Sequence, residues 1–304
     1  MNNKRVFNLE FDSYVKEFNI YGYRFYRVDD YEERFLDLQH KFDLIHEFKI
    51  PVNSGTHSIT ALVDIPEKED DSIFEWENKR SALQDILLLL SLFTQRNVFV
   101  VDSNFNEKHY ITADPRQHSW GGILKTSIPY ITGDEDDELG FSFNIGFSIA
   151  INKIYSLIRS EKWLCKYDNG YFLLLANTAF QEHNLESAFI QCWTIWEHLF
   201  SIHNKKWLST DQIIKMNSLE KISFILIEYN LQDNVNDITR SNIKKLSKIR
   251  NRLIHYGKFP VENNVKEDAL LFIHLTEIIL AKILELTPSN LFNTTDKLKH
   301  YLNQ

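Results

Sequence analysis

The sequence predicts an α+β chain, with a β-rich N-terminal domain at 1–140 followed by an up-and-down α-helical bundle at 141–304. Three observations predict it. Apolar and polar residues alternate with period two in the first 75 residues, most clearly in Val6–Phe11 and in Ile20–Val28. From Phe141 onward the spacing becomes helical almost throughout. Between them lies a polar stretch ending in the acidic run Gly133-Asp-Glu-Asp-Asp-Glu-Leu139, read as a solvated loop near the domain boundary.

In chain order, the alternating segments 6–11 and 20–28 are strands, with a break at Asp29-Asp30. Further strands are expected at 42–52 and 56–65, separated by the turn Asn53-Ser54-Gly55. A helix over 74–94 places Trp76, Leu83, Ile86, Leu87 and Leu90 on one face, and a short strand follows at 98–102. In the C-terminal part, helices are expected at 147–158, 170–180, 184–203, 219–229, 237–256 and 264–286, with a tail helix at 291–302. Asn184 and Asp237 are placed to cap their helices. Residues 204–218 read as a polar connection. Short loops between such helices favour antiparallel neighbours.

Composition bounds the function. The chain has 304 residues, 43% hydrophobic and 13% aromatic, which is globular and not disordered. A net charge of −8 excludes a general nucleic-acid coat but leaves room for a local basic patch. The two cysteines, Cys165 and Cys192, sit in apolar helical settings and read as buried thiols of a reducing compartment. The start Met1-Asn-Asn-Lys-Arg does not resemble a secretory leader, and the longest apolar block, 86–93, is too short to span a bilayer. A cytoplasmic protein without membrane contact is expected.

The chemistry concentrates at 240–258. This span holds Arg240, Lys244, Lys245, Lys248, Arg250, Arg252 and Lys258 without one acidic residue. Leu246, Ile249, Leu253 and Tyr256 repeat as a buried stripe, and Gly257 followed by Pro260 marks the helix end. Asn251 and His255 are four apart and share a face; Arg250 lies roughly 100° away from Asn251, within reach of its long side chain. A permanent cation, an amide and an imidazole, the side chain that titrates near neutrality, are thus gathered at one helix end.

The run Arg250-Asn251-Arg252-Leu253-Ile254-His255 resembles the signature of the HEPN superfamily (higher eukaryotes and prokaryotes nucleotide-binding domains), in which Arg and a polar residue precede a His. Over its C-terminal half the chain looks most like the Apea-like HEPN group of prokaryotic proteins. A second spacing of this kind, Arg34 to His40, has Phe35 where the polar residue belongs and no bundle around it; it is read as chance. The resemblance implies a helical homodimer with a metal-independent endoribonuclease site shared between two copies, no cofactor, and a 2′,3′-cyclic phosphate product. It gives catalytic roles to Arg250, Asn251 and His255: His255 for proton transfer, Arg250 for charge on phosphorus, Asn251 for orientation. One His cannot be both acid and base, so a second copy supplies the other. Lys248, Arg252 and Lys258 are candidates for RNA-backbone contact. Glu197, in the aromatic helix, is a supporting residue expected to fix Arg250 or Arg252, since a carboxylate among apolar groups needs a partner. In members silenced by nucleotidylation a Tyr lies two places past the His; here Gly257 stands there, so that form of control is not implied.

Prokaryotic proteins of this group act in phage defence or toxin-like growth arrest, and the N-terminal domain would then sense a regulatory ligand or a phage or host trigger. Two other classes compete. One is a non-catalytic HEPN-type module that binds nucleotide or RNA and dimerises. The other is an enzyme with its site in the N-terminal region, where the aromatic run 21–26 and Trp120-Gly121-Gly122 would line a pocket; sheet packing is the preferred reading of those residues. There is no HExxH, paired CxxC or Gly-rich phosphate loop.

Overall fold

A computed structural model describes residues 3–11, 15–36, 59–66, 80–94, 96–101, 124, 145–182, 184–231, 240–261 and 264–286. It is α+β, and it divides into two compact units: 1–118 with 128–156, and 119–127 with 157–304.

The first unit is built on an antiparallel five-stranded sheet. Its strands are β1 (Asn3–Phe7), β2 (Glu17–Ile20), β3 (Tyr23–Arg27), β4 (Ile59–Asp64) and β5 (Phe99–Val101), in the order β2-β3-β4-β1-β5. The alternation places Val6, Phe18, Ile20, Tyr23, Phe25, Ala61 and Val63 in the core, and the register pairs Phe18 with Phe25, Phe25 with Val63, and Val6 with Ala61. Phe18 and Phe25 stack at 5.2 Å. The aromatic run 21–26 is therefore largely sheet packing. At the β2–β3 turn, Tyr21 stays 58% exposed.

Helix α1 (Ala82–Thr94) is buried on every side, not on one face as its spacing predicts. Its polar groups are satisfied locally. Asp85 pairs with Arg80, Thr94 donates to Leu90 O at 2.7 Å, and Ser91 Oγ accepts the Val98 N–H at 2.9 Å. Helix α2 (Ile145–Ile158) was expected to belong to the bundle, but most of it joins the sheet unit. Asn152 explains this: its Oδ1 accepts the Tyr21 N–H at 2.8 Å and its Nδ2 donates to Asn19 O at 3.1 Å. The side chain of Tyr155 meets the Tyr21 ring at 4.8 Å.

The second unit holds α3 (Glu161–Lys166), α4 (Tyr171–Gln181), α5 (Leu185–Asn204), α6 (Thr210–Lys215), α7 (Ser218–Glu228), α8 (Arg240–Tyr256) and α9 (Val265–Ile283). Helix α5 is the central rod. Asn184 caps it, with its side chain accepting the Ser187 N–H at 2.9 Å. Phe189, Trp193 and Trp196 pack on Phe272 of α9 at ring separations of 5.4, 5.4 and 4.7 Å. The Trp196 indole N–H donates to Thr276 at 2.8 Å.

The order of contacts departs from an up-and-down bundle. Glu197 meets Ser218, Phe200 meets Phe224 and His203 meets Tyr229, so α7 runs parallel to α5. The chain gains this direction by returning through α6, a helix inside the stretch read as a polar connection. Only Ile213 of α6 is buried, which hides it from an apolar-periodicity search. Its capping box does show in the sequence, as Ser209 and Gln212 three apart.

Of the sequence expectations, the strand at 42–52 with its turn at 53–55, Trp76, Trp120, the acidic run 133–139, the Asp237 cap, the tail helix 291–302 and His40 lie outside the described residues. No described helix is long and apolar enough to cross a membrane.

Candidate functional site

Helix α8 is seated by Leu246, Ile249 and Leu253, which are 6%, 2% and 4% exposed. Tyr256 was expected to continue this stripe but is 72% exposed. It falls at the edge of the stripe, one residue before the chain turns away. Gly257 makes that turn in the left-handed region at φ 69°, and its N–H donates to Leu253 O at 2.8 Å. This satisfies one of the last orphan carbonyls of the helix.

With the stripe held inward, 3.6 residues per turn put Lys244, Lys248, Asn251, Arg252 and His255 within roughly 100° of arc on the opposite side. All five are exposed. Asn251 and His255 thus stand together on the open face. Arg250 lies at the edge of the stripe and is half-buried. Its Nη1 donates to Asn251 Oδ1 at 3.1 Å. The guanidinium is thus bonded to the amide, and the imidazole of His255 lies one turn further along the helix from Asn251. The His255 ring sits 6.4 Å from that of Tyr256.

Charge at this helix end is dominated by side chains. The helix terminus contributes roughly half a negative charge. Against it the acid-free run supplies full positive charges at Lys248, Arg250, Arg252 and Lys258. Lys245 is turned off the open face and pairs with Asp268 at 2.5 Å. Lys258 comes after the Gly257 turn, on the rim of a cavity of about 540 Å³ that it shares with Glu186, Phe259, Val265 and Lys266.

Glu197 behaves differently from expectation. Its Oε1 accepts from the indole N–H of Trp193 at 3.0 Å and from the Ser218 hydroxyl at 3.3 Å. The carboxylate joins α5 to the start of α7, and its hydrogen bonds among the described residues do not reach Arg250 or Arg252. The nearer partner, Trp193, is four residues back on the same helix, a pairing that i,i+4 spacing offers.

Glu277 is 1% exposed, and it accepts the Leu124 N–H at 3.2 Å and meets His274 Nδ1 at 3.0 Å. Cys192 is fully enclosed, and burial pushes its thiol up to about 12, which makes it inert as a nucleophile. Cys165 is exposed, against expectation, and both cysteines are free. Burial lowers the pKa of His198 and His203. His203 Nε2 shares a 2.8 Å hydrogen bond with the Tyr229 hydroxyl. Among the described residues no group of three His, Cys, Asp or Glu side chains is placed to hold a metal ion.

Comparison with protein-family models, with curated proteins and with solved structures gives no match.

Proposed function

We propose that the chain is a metal-independent endoribonuclease of HEPN type, acting at a site shared across a homodimer, in prokaryotic phage defence or toxin-like growth arrest. The observation that carries the reading is the grouping of Arg250, Asn251 and His255 on the exposed end of α8. That end is free of acidic residues from 240 to 258. RNA brings its own nucleophile. The 2′-hydroxyl oxygen bonds to phosphorus as the bond from phosphorus to the 5′-oxygen breaks. His255 of one copy takes the 2′-proton, and the partner's His255 returns a proton to the leaving oxygen. Arg250 carries the charge that develops on the non-bridging oxygens. Its bond to Asn251 holds the guanidinium at the helix end, so both groups meet a phosphate together. Lys248 and Arg252, on the open face, hold the adjoining backbone.

In a single copy Asn251 and His255 are exposed and Arg250 is half-buried, and among the described residues nothing encloses the three from water. That is why the reading requires a second copy. The same openness favours the other reading, a dimeric module that binds RNA or nucleotide without cutting it. Product analysis separates the two. The nuclease reading expects ends bearing 2′,3′-cyclic phosphate and 5′-hydroxyl groups, and no cutting at a 2′-deoxy position. Cleavage of a fully 2′-deoxy strand, or 5′-phosphate ends, would refute the mechanism.

A further inference from the structure

The exposed face of α8 carries an ordered feature beyond the three proposed catalytic residues. Lys244, Lys248, Arg252 and Tyr256 recur every four residues, so they form one continuous ridge. All four are exposed, Tyr256 to 72%. At 1.5 Å per residue the rungs are about 6 Å apart and the ridge about 18 Å long. Asn251 and His255 form the neighbouring row, alongside its last rungs.

Two features set this ridge apart from an ordinary solvated face. Surface lysines are commonly interleaved with acids, yet the whole run 240–258 has none. Among the described residues no carboxylate pairs with Lys244, Lys248 or Arg252, whereas Lys245, one position off the ridge, is neutralised by Asp268. The ridge also ends in a large aromatic ring that the bundle leaves bare. Three spaced cations followed by an open ring match one polyanionic strand with accessible base faces. A duplex hides its base faces by stacking, whereas an unpaired strand offers them to an aromatic side chain.

Resting on the nuclease reading above, we propose that this ridge is the track for a single-stranded RNA: Lys244, Lys248 and Arg252 take successive phosphates, and an unpaired base stacks on Tyr256. The strand is thereby laid beside Asn251 and His255. Its substrate class is unpaired RNA, and Tyr256 sets the position of the cut relative to the stacked base.

The test uses the full chain with His255→Ala, so that binding is read without cleavage. The probe is a fluorescently labelled oligoribonucleotide without self-complementarity, alone or annealed to its complement, titrated at several salt concentrations. The single strand should bind at least tenfold more tightly than the duplex. Lys244→Ala should reduce the slope of log affinity against log salt by about 0.7. Tyr256→Leu should weaken binding by roughly tenfold, and Tyr256→Trp should restore it. Equal binding of duplex and single strand, an unchanged slope in Lys244→Ala, or full affinity in Tyr256→Leu would overturn the track. These outcomes are separable from the chemistry. A wild-type chain that cleaves while its ridge variants bind normally removes the track alone. A chain that never cleaves but loses binding with the ridge keeps the track and removes the nuclease reading.

Discussion

Replacing Gly257 by alanine tests whether the helix end is held as described. The residue sits at φ 69°, and a Cβ built there meets nothing within 4 Å among the described residues. Steric clash with neighbours is thus absent, and the penalty is conformational. An L-residue in the left-handed region costs about 1–2 kcal/mol. Alanine also stiffens the unfolded chain, which returns about 0.4–1 kcal/mol. The net loss is therefore about 1 kcal/mol. Asparagine, which tolerates this region, should cost less than alanine, and D-alanine introduced by semisynthesis should stabilise the fold. The assay is urea unfolding followed by tryptophan fluorescence, which reports the second unit through Trp163, Trp193 and Trp196. A loss above about 3 kcal/mol would mean that the Cβ meets something. No loss, or the same loss with D-alanine, would mean that Gly257 does not hold the left-handed turn.

Phe272→Ala should remove the ring that Phe189, Trp193 and Trp196 pack against, at a cost of about 3–5 kcal/mol in urea unfolding. Glu197→Gln keeps an oxygen for Trp193 and Ser218, so RNA cleavage should stay within about twofold of wild type; a tenfold loss would return Glu197 to the Arg250 site. Acid should weaken the bundle through His198 and His203, whose pKa values are lowered by burial. The unfolded chain binds those protons more readily, so their contribution to stability is complete above about pH 6.5, falls as pH drops towards the folded values, and then levels off. Unfolding midpoints of wild type and the His198→Gln/His203→Gln variant across that range would show it as a difference in pH slope.

The sequence shows α8 well because its signals are local. Leu246, Ile249 and Leu253 mark the inner face, Gly257 marks the stop, and the acid-free run is plain in the residues themselves. The cap at Asn184 is legible for the same reason, whereas the turn at Tyr21-Gly22, which splits the segment read as one strand over 20–28 into β2 and β3, is not. What escaped depends on distant contacts or on choosing among local partners. The direction of α7 relative to α5 is set by which side chains meet, such as Phe200 with Phe224. Tyr256 fits the stripe by spacing, but whether a neighbour covers it is a tertiary fact. Glu197 had a cationic partner available on paper at Arg250 or Arg252, and an indole on its own helix took it. Sheet contacts made by Asn152 drew α2 to the first unit, although its spacing alone matches a bundle helix.

The central claim is that α8 carries a metal-free RNA-cutting site. The most direct measurement is cleavage of RNA in EDTA by the purified full chain beside His255→Ala and Arg250→Ala. The expected result is cutting by the wild type and its loss in both variants, with the oligomeric state unchanged. Cutting that survives both substitutions, or that EDTA abolishes in the wild type, would contradict it.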